Sequence, residues 1–330
     1  MNGERSDEFN WDVLLWNIKD GKCTPFLGAG VYNIKVHDGK SLLPKASELA
    51  EELVGMFGYP RGEKETYDLS DVAQCIAIDT NDWTFPKQRV SSILKERIQV
   101  LEGTREFNDF LRDNNNHLGF LAQLPFKSYI TTNYDDLMYR ALKDSIIDIQ
   151  GKKENKRPTY EICRWNKFCR DNITSKFDSD PGYKPSVAEP MVFHLHGQFD
   201  EPDSMVLTED DYYDFLINIP KNLPEKDGAL IPNCIRMALS HTNLLFIGYR
   251  LADTDFRVLF HSFQNALEIS GKKGGVAVHL DPKSEEEKKY LEKYFKRINI
   301  SVFWGTAQDF IAKLNEKWKD FLEKNKNKEP

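Results

Sequence analysis

The chain has 330 residues, of which 40% are hydrophobic, and this is enough to bury the core of one large α/β domain or of two coupled ones. Its formal net charge of -7 gives no whole-chain attraction for nucleic acid or anionic lipid, so direct binding to either is not expected. Without a membrane-spanning apolar run, a secretory signal or a C-x-x-C pair among its five cysteines, the chain is expected to be cytoplasmic and to lack disulfides and structural zinc.

The first part of the chain predicts one strand–helix unit followed by a run of helices. A strand at 23–27 leads into Gly28-Ala29-Gly30, and apolar residues at helical spacing predict a helix over 45–57. Three further helices are predicted around 72–78, 87–100 and 105–111. We therefore expect a polar, partly helical N-terminal extension over 1–20 and a helical subdomain inserted at about 58–120.

The rest of the chain alternates predicted strands with predicted helices. The strands are expected at 128–131, 191–195, 244–247, 276–280 and 300–303. The helices are expected at 137–142, 255–266, 285–295 and 310–321. The stretch 151–190 is polar and loop-like, and is interpreted as an insertion or a mobile cover; the charged end at 323–330 is expected to be a flexible tail.

This alternation predicts the α/β fold class, with a Rossmann-like, mostly parallel sheet that helices cover on both faces. Residues 21–322 would form a single domain. In such sheets, ligands bind outside the carboxyl ends of the strands. Glycine-containing or polar segments follow five of the predicted strands, at 28–30, 132–135, 196–197, 248–250 and 281. We expect these segments to share one crevice.

Two of these segments suit a nucleotide, although each also has a plainer explanation. The glycines at 28–30 let backbone amides approach a pyrophosphate, but Asn33 replaces the third glycine of G-x-G-x-x-G, and a simple tight turn would look the same. Helix capping explains one or two of the polar residues at 131–135. Asn133 and Asp135 would in addition be able to hold ribose hydroxyls, a water or a carboxamide.

The histidines and the late glycine are the remaining candidates. Strand alternation predicts that His194 and His196 share one face, with His196 beside Gly197 at the mouth of the crevice. A histidine pair also suggests a metal, but no third donor stands at a suitable spacing, so no metal is predicted. Gly248 precedes its helix by several residues, and close approach to a nucleotide explains it better than capping.

Three segments resemble motifs of the sirtuin family and occur in the same order along the chain: G-A-G at 28–30, T-N-Y-D at 132–135 and H-G at 196–197. The segment G-Y-R-L-A-D-T-D-F-R at 248–257 is most similar to the divergent bacterial sirtuin-like branch associated with anti-phage defence. The resemblance covers roughly residues 21–320. It implies a sirtuin-like domain that binds NAD as its substrate and hydrolyses the nicotinamide–ribose bond, giving nicotinamide and ADP-ribose or a cyclised product.

The resemblance also implies a role for each matching position. His196 would be the general base, and Asn133 would hold the nicotinamide ribose and a water. The positions expected to bind the dinucleotide are Gly28, Ala29, Gly30, Thr132, Asp135, Gly248 and Asp281. Among these, 28–30 would cradle the pyrophosphate, Asp135 would lie near the nicotinamide carboxamide, and Gly248 and Asp281 would border the adenosine half.

The sequence departs from protein-deacylating sirtuins where those enzymes recognise acyl-lysine. Their four zinc cysteines form two C-x-x-C pairs, whereas the corresponding region here contains only Cys163 and Cys169. Their A-G-I-P-x-F-R continuation is replaced by Val31-Tyr32-Asn33. Hydrolysis of NAD is therefore ranked first. The alternatives are a non-catalytic sensor or scaffold that binds NAD or ADP-ribose, a deacylase without zinc, and an unrelated Rossmann-like nucleotide enzyme.

Regulation is a further implication of the resemblance. Uncontrolled loss of NAD would kill a cell, so such an enzyme is expected to be inactive until triggered, as an NAD-depleting effector in anti-phage defence. Control would come from homo-oligomerisation or from a separate partner, such as a HerA-like ring ATPase or a short Argonaute-like protein.

Overall fold

A computed structural model describes residues 9–32, 41–62, 64–112, 117–149, 152–222, 230–249, 257–258, 261, 274–282 and 284–325. Its strands are β1 (Cys23–Leu27), β2 (Ser128–Thr131), β3 (Ile146–Ile149), β4 (Lys152–Asn155), β5 (Thr159–Ile162), β6 (Met191–His194), β7 (Asn243–Ile247), β8 (Gly275–His279) and β9 (Ile300–Trp304). Seven of them form one parallel sheet in the order β5-β6-β2-β1-β7-β8-β9, and β3 and β4 form a separate antiparallel pair. The predicted α/β class with a parallel, Rossmann-like sheet is confirmed.

Helices account for most of the remaining described residues. They are α1 (Trp11–Lys19), α2 (Ala46–Phe57), α3 (Leu69–Thr80), α4 (Phe85–Leu101), α5 (Arg105–Arg112), α6 (His117–Gln123), α7 (Leu137–Lys143), α8 (Lys167–Asn172), α9 (Lys176–Ser179), α10 (Glu209–Asn222), α11 (Asn233–His241), α12 (Glu285–Arg297) and α13 (Ala307–Asn325). Within the described residues, no helix is both long and apolar enough to span a bilayer.

The central strands are buried on both faces. All five residues of β1 are buried, and successive side chains of a strand point to opposite faces. Leu27 and Leu245 belong to an apolar cluster with side chains of α1, α2, α6, α7 and α13. Phe26 and Phe246 belong to a second cluster, which contains side chains of α10, α11 and α12. Two covered faces explain why these strands are nearly continuous apolar runs.

The strand order reverses beside β1. The chain adds β2, β6 and β5 on one side of β1, and then β7, β8 and β9 on the other. Leu27 at the end of β1 is in register with Thr131 of β2 and with Ile247 of β7. Ligands of open parallel sheets bind at such a switch point, outside the carboxyl ends of the strands. The loops that follow β1, β2 and β7 therefore form the natural place for a site.

The helices between α2 and β2 match the predicted helical region. The helices expected around 72–78, 87–100 and 105–111 are confirmed as α3, α4 and α5, and α6 was not predicted. The residues described between α2 and β2 contain only helices and connecting loops. At the N-terminus, α1 packs into the core through Leu14, Leu15 and Ile18, so this part of the predicted 1–20 extension belongs to the domain's packing.

The loop-like interpretation of 151–190 is wrong. The segment contains β4, the edge strand β5, and the short helices α8 and α9. Its polarity was misleading because β4 is fully exposed and β5 lies at the sheet's edge, so neither reads as an apolar run. The helix predicted at 255–266 lies largely outside the described residues. At the predicted 323–330 tail, α13 continues to Asn325, and the rest is not among the described residues.

Candidate active site

The loops after β1 and β7 touch backbone to backbone. A Cβ added to Gly30 would lie 2.9 Å from Gly248 Cα, and one added to Gly28 would lie 2.8 Å from the Gly248 oxygen. Gly248 itself has φ +84°, and a Cβ there would lie 2.5 Å from the Val31 nitrogen. The contact therefore requires glycine on both loops. The close approach of the turn at 28–31 explains why residue 248 is a glycine, whereas the sequence suggested the close approach of a nucleotide as the reason.

This contact also occupies two of the three amides that were expected to cradle pyrophosphate. Gly28 N donates to Ile247 O at 2.9 Å, and Gly30 N donates to Gly248 O at 3.0 Å. Ala29 between them is exposed, and its amide has no acceptor among the described residues. Of the three residues, Ala29 is the one placed to donate its amide to a ligand.

The ends of β1, β2 and β7 meet at one carbonyl. Leu27 O accepts from Thr132 N at 3.2 Å, from Thr131 Oγ1 at 3.1 Å and from the Tyr249 hydroxyl at 3.0 Å. Thr132 Oγ1 lies 2.8 Å from the same Tyr249 hydroxyl. The tyrosine ring lies directly over Gly28, which leaves no room for a Cβ. Tyr249 was missed at the sequence level, where only its position next to Gly248 signalled it.

Asn133 is buried, with its side chain close to the Tyr32 hydroxyl. Its side-chain Nδ2 has no hydrogen-bond partner among the described residues, and the residue is 7% exposed. An unpaired buried donor costs about 1–3 kcal/mol. The backbone carbonyl of Asn133 lies 3.3 Å from His194 Nδ1. This nitrogen must carry the proton, because a carbonyl can only accept a hydrogen bond. This position suits a residue that binds a ribose hydroxyl or a water.

Asp135 is buried beneath the glycine turn. Its Oδ1 accepts from the Tyr32 hydroxyl at 2.7 Å and from Leu137 N at 3.0 Å. Burial raises the pKa of Asp135 to about 6, although both hydrogen bonds oppose that shift. Tyr32 ends the 3-10 helix Ala29–Tyr32, so it ties the glycine turn to the loop after β2. In the sequence, Tyr32 stands out only as a departure from the sirtuin pattern.

His194 and His196 do not share a face, so the prediction from strand alternation is wrong. Because β6 ends at His194, the alternation does not extend to 196. His194 is fully buried and its ring lies 6.3 Å from that of Tyr160, whereas the His196 ring lies 4.9 Å from Phe215 of α10. Burial lowers the pKa of His194 to about 4 and that of His196 to about 3. Both rings are neutral at neutral pH.

Gly197 is needed by the loop that follows His196. It has φ +82°, and a Cβ would lie 2.2 Å from the oxygen of the buried Ser204. The Ser204 hydroxyl donates to Glu201 O at 2.6 Å and accepts from Gln198 N at 3.0 Å. The H-G pair therefore combines a histidine at the strand's end with a glycine that lets the chain fold back beneath it.

Hydrogen bonds connect the loop after β2 to the segment that carries His196. Tyr134 O accepts from Phe199 N at 2.8 Å, and the Tyr134 hydroxyl donates to Val206 O at 2.6 Å. Val206 N in turn donates to His196 O at 3.0 Å. The positions predicted at 28–30, 132–135, 196 and 248 are thus joined by these contacts and by those of Tyr32 and Tyr249.

Asp281 is not joined to this group by any contact among the described residues. It is exposed at the end of β8, two strands away from β1, and its Oδ1 accepts from Lys288 Nζ at 2.7 Å. A separate surface cavity of about 320 Å³ lies between α5 and α7. Four of its five charged lining residues pair with each other, Arg140 with Glu102 and Arg112 with Asp144, and none of the predicted site residues lines it.

Residues 127–303 match the SIR2-like domain family, and this is more than half of the chain. The chain belongs to the SIR2-like domain family. The match includes all the predicted site residues from Thr132 to Asp281 and begins after the glycine turn at 28–30. The resemblance inferred from the sequence is confirmed.

Three curated relatives are similar to this SIR2-like chain, and each is named NAD(+) hydrolase ThsA. The protein of Enterococcus faecium is 26% identical over 147 residues, which are 44% of this chain and 24% of that protein. That of Bacillus cereus (strain MSX-D12) is 24% identical over 209 residues, 61% of this chain and 36% of that protein. That of Acinetobacter baumannii (strain 532279) is 26% identical over 150 residues, which are 44% of this chain and 24% of that protein. The matched part spans about a quarter to a third of these relatives.

The glycine contact predicts opposite effects for two alanine substitutions. Gly248→Ala introduces a side chain at positive φ and into Val31, and should lower the free energy of unfolding by about 3 kcal/mol. Gly55→Ala is the control, since Gly55 lies in α2 with nothing within 4 Å of an added Cβ; it should raise the free energy by about 0.5–1 kcal/mol. Urea unfolding measures both. A Gly248→Ala protein as stable as wild type would contradict the close contact.

Proposed function

We propose that this chain cleaves the nicotinamide–ribose bond of NAD in the crevice at the ends of β1, β2 and β7. The observation that carries the proposal is the grouping there of the glycine turn, the buried Asp135 and the unpaired Nδ2 of Asn133, at the sheet's switch point. Membership of the SIR2-like family and the names of the relatives support it.

The crevice would hold the dinucleotide along the loops already described. The amide of the exposed residue Ala29 would donate to a pyrophosphate oxygen, since it has no acceptor among the described residues. Asp135 would accept from the amide of the nicotinamide carboxamide, with its carboxylate held by Tyr32. Asn133 Nδ2 would find its missing acceptor on the nicotinamide ribose or on the attacking water.

The chemistry does not require a strong general base. Nicotinamide carries a positive charge in NAD and leaves as a neutral molecule, so no general acid is needed. The ribose carbon then resembles an oxocarbenium ion, as in glycoside hydrolysis, and accepts even a weakly activated water. The low pKa of His196 makes it a weak base, but also keeps the ring neutral and able to accept a proton throughout the neutral range. Attack by water would release ADP-ribose, whereas attack by a nucleophile of the substrate itself would release a cyclised product; nicotinamide leaves in both cases.

One observation favours a second candidate, a sensor that binds NAD or an ADP-ribose derivative without cleaving it. The His196 ring packs against Phe215 and Tyr212, and burial is the reason for its weak basicity. A ring held in this way would contribute less to catalysis than one free to approach a water. The two candidates differ in a single observable, the release of nicotinamide.

We also propose a cellular role on the basis of the sirtuin-like resemblance. The chain would be a regulated NAD-depleting effector in bacterial anti-phage defence. Its activity would be controlled by self-association or by a separate partner, such as a HerA-like ring ATPase or a short Argonaute-like protein.

Nicotinamide release tests the activity directly. His196→Ala and Asn133→Ala should each lower turnover by about 100-fold or more, since they remove the base and the group that orients ribose and water. His241→Ala is a matched control, because His241 ends α11 just before the amino end of β7, at the opposite edge of the sheet. It should keep wild-type turnover. Release is measured by chromatography, with the melting temperature of each variant recorded alongside.

Three outcomes are informative. An unaltered rate in either variant removes that residue from the mechanism. Equal losses in His196→Ala and His241→Ala would show that the effect is not specific to the crevice. Absence of release in the presence of candidate partners, together with measurable NAD binding by calorimetry, would replace hydrolysis with the sensor.

The raised pKa of Asp135 predicts the acid limb of the activity profile. Below about pH 6 the carboxylate gains a proton and loses its capacity to accept from the carboxamide, so kcat/KM should fall about tenfold per pH unit. Asp135→Asn keeps an acceptor for Tyr32 and Leu137 but does not titrate, so its lower kcat/KM should be flat across this range. If kcat/KM still falls below about pH 6 in Asp135→Asn, the fall belongs to another group. His196 has a lower pKa and titrates at more acidic pH.

A further inference from the structure

Helix α4 contacts the segment that follows His196 along a single stripe. Thr84, at its N-cap, and Lys87, Ser91 and Lys95 recur at spacings of three and four residues, which places them on one face. Ser91 Oγ donates to Phe199 O at 2.7 Å, and Lys95 Nζ lies 2.9 Å from Asp200 Oδ1. The Thr84 hydroxyl donates to Asp203. A helix from the region between α2 and β2 thus follows the loop 197–208 over its length.

The buried lysine of this stripe, Lys87, forms an ion pair at the start of α10. Lys87 Nζ lies 2.8 Å from Asp211 Oδ1, and the two side chains are 6% and 13% exposed. Asp211 Oδ2 also accepts from Thr208 N at 2.9 Å and from Leu207 N at 3.1 Å. Asp211 N donates back to Thr208 Oγ1 at 3.1 Å. This reciprocal cap fixes where α10 begins, and Lys87 neutralises the carboxylate on which the cap depends.

The next turn of α10 holds the His196 ring. The ring of Tyr212 lies 5.6 Å from it and that of Phe215 lies 4.9 Å from it, both edge-to-face. Tyr212 directly follows Asp211, and Phe215 is one helical turn after it. A shift of the ion pair would therefore shift the two rings that set the direction of the imidazole. A buried, well-packed contact of this kind transmits a displacement instead of absorbing it.

We propose that Lys87 is a positioning residue for His196, acting through Asp211 and the first turn of α10. The proposal rests on the proposed NAD cleavage for its kinetic consequence, but not for its structural one. It assigns to α4 a direct part in the geometry of the site. A buried ion pair is weak evidence for stability, because two apolar side chains of similar size often serve as well. Fixing the register of α10 is a reason to keep a charged pair there.

The kinetic test compares two lysines of the same stripe. Lys87→Met should lower kcat for nicotinamide release by about 10- to 100-fold, with a smaller change in the KM for NAD, because the reacting geometry is displaced while the nucleotide loops are not. Lys87→Arg keeps the charge and should recover most of the loss. Lys95→Met is the control, since its pair with Asp200 is 44% and 55% exposed, and it should change kcat less than about twofold.

A second variant guards against simple misfolding. Removing one partner of a buried pair leaves the other charge without compensation, so Lys87→Met on its own is expected to unfold more easily. In Lys87→Met/Asp211→Asn both charges are gone, while the asparagine oxygen still accepts from Leu207 N and Thr208 N. This double variant should regain most of the melting temperature and still show the low kcat.

The position of the ring can be read without turnover. In protein labelled at histidine, the carbon-bound imidazole protons of His196 report the ring currents of Tyr212 and Phe215, and His196→Ala assigns the signal. The signal should shift and broaden in Lys87→Met and in the double variant, and should stay in place in Lys95→Met. This readout separates the two proposals, because a wild-type chain without NAD cleavage would still show it.

An unmoved His196 signal in folded Lys87→Met would overturn the positioning role, whatever the activity. Wild-type kcat in that variant would do the same. A kcat that follows the melting temperature, and is restored with it in the double variant, would assign Lys87 to stability alone and also overturn the proposal.

Discussion

The site depends on the contact between the turn after β1 and the turn after β7. Gly28 and Gly30 meet Gly248 with no side chain between them, and two hydrogen bonds from the turn at 28–30 close the contact. It lies where the strand order reverses, so it also sets the floor of the crevice in which a parallel sheet binds its ligand. The glycines thus serve the packing of the two turns against each other.

Around this floor Asn133, Asp135 and His194 are buried and His196 is half-buried, and this sets their chemistry. Desolvation raises the pKa of Asp135 and lowers those of His194 and His196, while Asn133 Nδ2 has no partner among the described residues. Each of these is a cost in the free protein that a ligand of matching polarity would reduce. Because the cationic nicotinamide of NAD leaves as a neutral molecule, its cleavage needs oriented dipoles more than strong acids or bases. The crevice provides such dipoles.

Much of the sheet could be predicted from the sequence, because strands buried on both faces appear as short apolar runs. The predicted runs at 23–27, 128–131 and 244–247 are β1, β2 and β7 within one residue. The edge strand β5 could not be recognised in this way, since Tyr160 and Glu161 interrupt its apolar pattern. Helix α10 was missed as well, although Thr208 and Asp211 form the cap that could have indicated its start.

The positions of the predicted site residues in the fold could be read from the sequence, but their surroundings could not. Gly28, Thr132, Asn133 and Gly248 follow their strands as expected, because motif order and strand ends are properties of the sequence. The contacts that control them come from distant residues, namely Tyr32 on Asp135, Tyr249 on Leu27, and Lys87 on Asp211. Short motifs do not contain such pairings. For the same reason, strand alternation failed for His196, whose ring is placed by α10.

The most direct test of the account is hydrogen exchange of the chain with a carbocyclic NAD analogue that cannot be cleaved. Binding in the crevice should slow exchange at the amide of the exposed residue Ala29 and in the loop 132–135, with little change at the surface cavity between α5 and α7. Protection confined to that cavity, or bound analogue without protection at either loop, would contradict the assignment of the crevice as the NAD site.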